Sequence, residues 1–274
     1  SGLRAAFASG ARRVLHVLPT GAGKTVEFSE IVRLASTRNT RTVVLVHRDS
    51  LLLQASAKLR DAGVKHGIIA PGHGDYGDRI NVASVQTLVR RLDRHAFDLV
   101  IVDEAHHAVS PTYGKILARW PLAKVLGVTA TPVRADGRGL DAAFQALHCG
   151  PSIGDLIADG YLAEPDTFGP KRSLDLSRVK TAGSDYDRTE LADHMDTPRI
   201  TGDAVAHYKE ICHGVQAIAF CVSIKHAEDT AWVFKASGYK SEAVHGKMKL
   251  SAIRAKLAGL ADGSIQVLTT CDLV

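Results

Sequence analysis

An apolar run, Val14-Leu15-His16-Val17-Leu18, leads straight into Pro19-Thr20-Gly21-Ala22-Gly23-Lys24-Thr25, and a helical pattern follows. Apolar residues at successive positions, rich in Val and Leu, read as a strand buried on both faces. After Thr25, Phe28, Ile31, Val32 and Ala35 recur at the spacing of one helix face. The turn between them holds two glycines, which let backbone N–H groups close around phosphate oxygens. Lys24 can then reach the outer phosphates, and the Thr25 hydroxyl can ligate Mg²⁺. Strand, glycine-rich turn, Gly-Lys-Thr and helix in this order predict a phosphate-binding loop. One position departs from the general pattern: Leu18 stands where the first glycine is expected.

The same kind of strand returns at Val43-Val44-Leu45-Val46, Leu99-Val100-Ile101-Val102 and Val125-Leu126-Gly127-Val128, with amphipathic stretches between. Alternating strand and helix predict an α/β fold built on a parallel sheet with right-handed crossovers. From about 133 to 196 glycines and prolines punctuate the chain, which reads as a helical tail followed by a connector. A second alternating unit starts near Pro198. Its strands are Ala217–Val222, Glu242–Val244 and Ile265–Leu268, and its helix carries Ala227, Ala231 and Phe234 on one face and closes at Gly238. The chain has 274 residues, enough for two domains at roughly 150 each. The expected division is 1–170, a connector at 171–196, and 197–274.

The third strand runs into Asp103-Glu104-Ala105-His106. A carboxylate at the C-terminal end of a buried strand stands where an open α/β sheet presents its ligand site. There Asp103 would hold Mg²⁺ and Glu104 would orient and deprotonate an attacking water. Two charges capping a strand beside a structural histidine is the alternative. His106 and His107 are adjacent and point in different directions, so they do not form a metal-ligand pair.

Charge adds little by itself. Residues 1–150 carry 20 Lys and Arg against 12 Asp and Glu, 151–196 carry 5 against 10, and 197–274 carry 9 against 7. Basic segments flanking an acidic one suit a polyanion such as nucleic acid, and suit a solvated surface nearly as well. Apolar residues at 45% and charged residues at 23% exclude general disorder and fibrous repeats. No apolar stretch reaches the ~18 residues of a membrane span, and no secretory pattern opens the chain, so a cytoplasmic protein is expected. Cys149, Cys212, Cys221 and Cys271 lie far apart, which speaks against zinc and against a disulfide framework.

Taken together, Pro19–Thr25, Asp103–His106 and Thr129-Ala130-Thr131-Pro132 resemble motifs I, II and III of superfamily 2 helicases and translocases of the DEAD/DEAH-box type. The style is closest to the repair-translocase and type III restriction motor branch, including phage members. That family tolerates Leu18 in its loop. Looser likenesses are Val44–Gln54 to motif Ia, Val82–Leu88 to Ib, Ala219–Ser223 to IV and Val267–Thr270 to the start of V.

The resemblance implies a P-loop NTPase with one RecA-like domain over 1–170 and a second, incomplete one over 197–274. It implies ATP and Mg²⁺ as cofactors, held by Pro19, Thr20, Gly21, Ala22, Gly23, Lys24, Thr25 and His106, with Thr25 and Asp103 as metal ligands. Lys24, Asp103 and Glu104 would be catalytic, while His106, Thr129 and Thr131 would couple nucleotide state to the domain interface. Arg48, Gln86, Thr87, Thr269 and Thr270 would line a nucleic-acid strand through phosphate and sugar. For Arg48 a solvated charge, and for Gln86 and Thr87 a helix cap, remain alternatives. Aromatic residues at 5% argue against base stacking as a main source of affinity.

The implied partner is nucleic acid, with DNA ranked ahead of RNA although composition does not discriminate them, and a nuclease or methylase subunit is compatible. Other readings are a restriction-type motor subunit, a non-motor P-loop ATPase acting on a small substrate, and a binding module without catalysis. The family pattern also continues past motif V to paired arginines, one of them an arginine finger, and begins with a glutamine-bearing adenine motif. The chain starts at Ser1 and stops at Asp272-Leu273-Val274, so a fragment cut at both ends is expected. Such a fragment should bind nucleotide weakly and hydrolyse it slowly, because the finger is worth on the order of 10³–10⁵ in rate.

Overall fold

The computed structural model describes residues 2–73, 79–133, 137, 139–169, 176–177, 179–182, 185–187, 190–191, 195 and 198–271. The chain divides into two compact units, Ser1–Phe168 and Gly169–Val274.

The first unit opens with helix α1 (Gly2–Ala8), then β1 (Arg13–Val17), α2 (Lys24–Thr37), β2 (Thr42–Val46), α3 (Asp49–Asp61), β3 (Gly67–Ile69) and β4 (Ile80–Ser84). It continues through α4 (Val85–Leu88), β5 (Leu99–Asp103), α5 (Pro111–Arg119), β6 (Lys124–Thr129), β7 (Ala146–Cys149) and α6 (Ile153–Ala158). The seven strands form one sheet in the order β3-β4-β2-β5-β6-β1-β7, with every pairing parallel. Residues on successive positions of β2 and β4 are all buried, as strands covered by helices on both faces must be.

Two apolar layers sandwich the sheet. On one face Leu15, Leu45, Val100 and Val102 pack with Tyr113, Ile116, Trp120 and Phe144. On the other Val14, Val44, Ile101 and Leu126 pack with Phe28, Val32, Leu52 and Leu59. Phe28, Val32 and Ala35 are buried on α2 as their spacing predicts. The sequence reading missed β3, β4 and β7. Within the glycine-rich tail, β7 pairs in parallel with β1 and closes that edge of the sheet.

This pairing builds a feature beside the phosphate loop. His16 on β1 is 2% exposed; its Nδ1 donates to the His148 carbonyl of β7 at 3.1 Å, and its Nε2 lies 3.0 Å from Glu27 Oε2 on α2. Burial by itself lowers the His16 pKa, but hydrogen bonds to Glu27 and to the His148 carbonyl, with the Glu27 charge, outweigh it and raise the value. Stability from the protonated pair is therefore present below the unfolded-state value of 6.5 and is lost as pH rises through the raised folded value. Glu27→Gln should destabilise the first unit most at mildly acidic pH, below 6.5, and the gap to wild type should close at alkaline pH. Denaturant midpoints measured across pH check this, and a gap that widens with rising pH would contradict it.

The second unit holds α7 (Pro198–Ile211), β10 (Ala217–Phe220), α8 (Ile224–Ala236), β11 (Ser241–His245), α9 (Leu250–Ala261) and β12 (Val267–Cys271). Its three strands are parallel in the order β10-β12-β11. Tyr208, Phe234, Tyr239 and Val267 form its core, and Ala227, Ala231 and Phe234 are buried on α8 as expected. Ser223 caps α8 by accepting from the His226 N–H, and Gly238 ends it with φ +90°. The expected connector at 171–196 lies largely outside the described residues; within it β8 (Thr181–Ala182) and β9 (Asp185–Tyr186) pair antiparallel. No described helix is long and apolar enough to cross a membrane.

Candidate functional site

Because β5, β6 and β1 are neighbours and parallel, their C-terminal ends stand side by side on one rim. That places the Asp103–His107 turn, Thr129–Thr131 and the Leu18–Thr25 loop in a row, as an open α/β sheet requires of its ligand site.

Gly21 and Gly23 both take left-handed backbone, with φ +86° and +80°, which L side chains rarely adopt. Gly23 is the residue before α2 and offers no side-chain cap, so the first N–H groups of that helix remain available to an anion. The loop is braced by the Leu18 N–H on the Thr129 carbonyl at 2.9 Å and the Ala22 N–H on the Pro19 carbonyl at 3.2 Å. Ser29 Oγ donates to the Thr25 carbonyl at 2.7 Å. Leu18 has a structural reason for departing from glycine: it is 2% exposed, in the core beside α2. Gly150 lies so close that a Cβ there would meet Leu18 at 2.4 Å. Leu162, which the sequence did not single out, sits where a Cβ on Gly21 would be, 2.7 Å from that position.

Lys24 Nζ is 3.8 Å from Glu104 Oε1, so the loop lysine and the second carboxylate of the acid motif meet. Glu104 adopts φ 50°, ψ 56°, a left-handed conformation that costs a non-glycine residue of order 1–3 kcal/mol and concentrates at functional sites. Its backbone N–H donates to Asp103 Oδ1 at 3.0 Å. Burial, and then the Glu104 carboxylate, push the Asp103 carboxyl up, against that N–H bond and the Lys24 charge. A divalent cation beside Asp103 would offset the Glu104 repulsion, and the Asp103 carboxylate with the Thr25 hydroxyl are oxygen donors of the kind Mg²⁺ takes together with phosphates.

His106 Nδ1 lies 3.4 Å from Glu104 Oε2, 3.3 Å from Thr129 Oγ1 and 3.4 Å from Thr131 Oγ1. Thr129 is fully buried; its hydroxyl donates to the Thr131 carbonyl and accepts from the Thr131 N–H, both at 3.1 Å. The three residues expected to couple nucleotide state thus form one polar cluster, which reaches Glu104 through His106. Tyr113, unremarked in the sequence, buries its hydroxyl nearby, and burial followed by Asp103 and Glu104 pushes its pKa up.

The expected nucleic-acid residues divide. Arg48 and Gln86 are exposed beyond β2 and β4, on the same rim. Gln86 Nε2 donates to the His47 carbonyl at 3.2 Å, and its Oε1 accepts from Ser84 Oγ at 2.9 Å. Thr87 is buried, at 7% exposed, inside α4, whose N-cap residue is Ser84, so it is not a helix cap. Thr269 corrects the sequence reading: it is fully buried and its hydroxyl donates to the Ala227 carbonyl at 2.6 Å, so it ties β12 to α8 instead of facing a strand of nucleic acid. Thr270 is 5% exposed on the same strand.

Residues 2–134 match the family described as type III restriction enzyme, res subunit. An IRC3 protein of Saccharomyces cerevisiae, named as an ATP-dependent helicase, is 31% identical over 96% of this chain and 42% of its own length. The DNA 3'-5' translocase XPB2 of Sulfurisphaera tokodaii is 33% identical over 46% of this chain and 29% of its own length. The chain therefore spans less than half of these relatives. Among solved structures, S. cerevisiae Dbp5 bound to RNA and ADP BeF3 superposes with a TM-score of 0.56 at 14% identity, over 94% of this chain and 65% of that one. The fold is thus that of the RecA-like helicase domains. With motifs I, II and III set on adjacent strand ends of that fold, the chain is similar to the superfamily 2 helicases and translocases.

Proposed function

We propose that this chain is the motor portion of an ATP-dependent DNA translocase or helicase. The observation that carries the reading is the meeting of Lys24 with Glu104 at 3.8 Å, with His106 on the same carboxylate and Thr129 and Thr131 on His106. Residues Pro19–Thr25 wrap the ATP phosphates, and Lys24 adds a cation to them. Thr25 and Asp103 would hold Mg²⁺, which when bound neutralises charge on the phosphates. Glu104 orients the attacking water and takes its proton, while His106 reports the carboxylate's position to Thr129 and Thr131. Arg48 and Gln86 meet the nucleic-acid backbone on the rim of the first unit, with Thr87 behind them.

DNA ranks ahead of RNA because a relative is named as a DNA translocase. The proposed domains are 1–170 and 197–274. A cytoplasmic setting belongs to the same proposal and is supported by four cysteines none of which is disulfide-bonded. The res-subunit match favours one second reading, a motor subunit that works with a nuclease or methylase partner. Co-purification of such an enzyme with the tagged native protein would favour it.

Lys24→Ala tests the main reading. Losing a charge-assisted contact worth about 1.5–3 kcal/mol should weaken binding of a fluorescent ATP analogue roughly 10–100-fold. Binding of single-stranded DNA in the absence of nucleotide should stay as in wild type. Equal nucleotide affinity in both proteins would overturn the assignment.

A further inference from the structure

Strands β4, β2, β5 and β6 are consecutive neighbours in the sheet, so the residues just beyond their ends form one line along the rim. Read along that line, the side chains make an unbroken path. Gln86 donates to the His47 carbonyl at 3.2 Å. The His47 ring stacks on His107 with centroids 4.6 Å apart and planes 26° from parallel. His107 in turn packs on His106, its neighbour in the chain, with centroids 4.2 Å apart and planes tilted by 49°, and His106 reaches Glu104 at 3.4 Å. His47 Nδ1 is buried and makes no hydrogen bond among the described residues, so this ring is placed by stacking and not by a polar partner. Arg48, the next residue, is exposed.

We propose that the His47–His107–His106 ring stack is the positioning element by which nucleic acid at Arg48 and Gln86 sets the geometry of Glu104. The proposal rests on the reading above that one rim binds nucleic acid and nucleotide together. A ligand on Arg48 and Gln86 pulls on the His47 backbone through the Gln86 bond. Flat rings in contact transmit that displacement, because a packed stack has few alternative arrangements. Glu104 is the receiving end. Its left-handed backbone is held only by what surrounds it, so a displacement of His106 reaches a residue whose geometry depends on its neighbours. Neither His47 nor His107 is itself a proposed ligand contact, and the Gln86 bond is to the His47 backbone, so removing a ring should uncouple the sites without emptying either.

Binding is the readout. Coupling between two ligands is reciprocal and typically amounts to about 5–150-fold in affinity. In wild type, single-stranded oligo(dT) should tighten the binding of mant-ATP with Mg²⁺ by at least roughly 5-fold. His47→Ala and His107→Ala should each bring that ratio to about 1, with the affinity for mant-ATP alone unchanged. The double variant should lose no more than either single one, the non-additivity expected of residues acting in one path. His47→Phe and His107→Phe, which keep a flat ring, should restore the coupling, and a merely structural defect would not be rescued selectively. Alanine variants that retain the wild-type ratio, or losses that add independently, overturn the stack as the path. If wild type itself shows no tightening with oligo(dT) or oligo(rU), the nucleic-acid reading fails and this proposal falls with it.

Discussion

Glu104→Gln should lower the turnover of ATP by roughly 10²–10⁴-fold, the range a positioned general base supplies, while the affinity for nucleotide changes little. Glutamine keeps the size and hydrogen-bonding reach of the side chain but cannot take a proton. Its neighbour should respond as well. With the second carboxylate gone, one of the two causes that push Asp103 up disappears, so the Asp103 carboxyl should move back toward its ordinary value. A companion variant separates chemistry from strain. Glu104→Gly removes the base and also relieves the left-handed backbone at φ 50°, so it should be as inactive as Glu104→Gln yet more stable than it by about 1 kcal/mol. Single-turnover hydrolysis and thermal melts of both variants check this. Undiminished hydrolysis in Glu104→Gln would remove Glu104 from the role of base.

That strain marks the border of what the residues alone can tell. Strand, loop and helix around Lys24 were legible because buried parallel strands and an amphipathic helix each leave a periodic signature. The acid motif was legible because it follows such a strand without a break. The meeting of Lys24 with Glu104 was not read from the sequence and comes from the order of the strands whose ends carry the two motifs. Nothing in Asp-Glu-Ala-His marks position 104 as left-handed, since a glutamate rarely adopts that backbone and only the surrounding fold imposes it.

The strands β3 and β7 hid for a different reason. Gly67–Ile69 is three residues long, and Ala146–Cys149 alternates between half-buried and exposed at the sheet edge, so neither makes the continuous apolar run of a central strand. With β7 unseen, the link from His16 to His148 was out of reach, because it joins residues paired only through that edge. The ring stack of His47 and His107 is likewise a product of sheet order. Thr269 shows the opposite error. A threonine in an apolar strand can face a ligand or hold a neighbouring helix, and its 2.6 Å bond to the Ala227 carbonyl puts it in the second group.

Gly127→Ala should cost the first unit about 1–3 kcal/mol, the range for forcing a methyl group into a packed core. Gly127 lies in β6, between the strands that carry the acid motif and the phosphate loop. A Cβ there would stand 2.3 Å from Phe144 Cζ, 2.5 Å from its Cε1 and 2.8 Å from the Ala105 Cβ. Phe144 is 6% exposed and Ala105 is fully buried, so neither side chain can swing into solvent to make room. The ring must tilt within the layer that also holds Trp120 and Tyr113, or Ala105 must lift. The second response carries the damage to function, because Ala105 follows Glu104 directly and moves its carboxylate away from Lys24. Gly127→Ala should therefore lower both the urea midpoint and the hydrolysis rate. Trp120 is buried in this layer and gives the fluorescence signal, and Trp232→Phe as background removes the contribution of the exposed tryptophan in the second unit. Phe144→Leu added to Gly127→Ala supplies the missing space, so the double variant should regain part of both losses. An unchanged midpoint in Gly127→Ala would mean that the floor beneath the acid turn yields freely, and the link from core packing to the carboxylate would be lost.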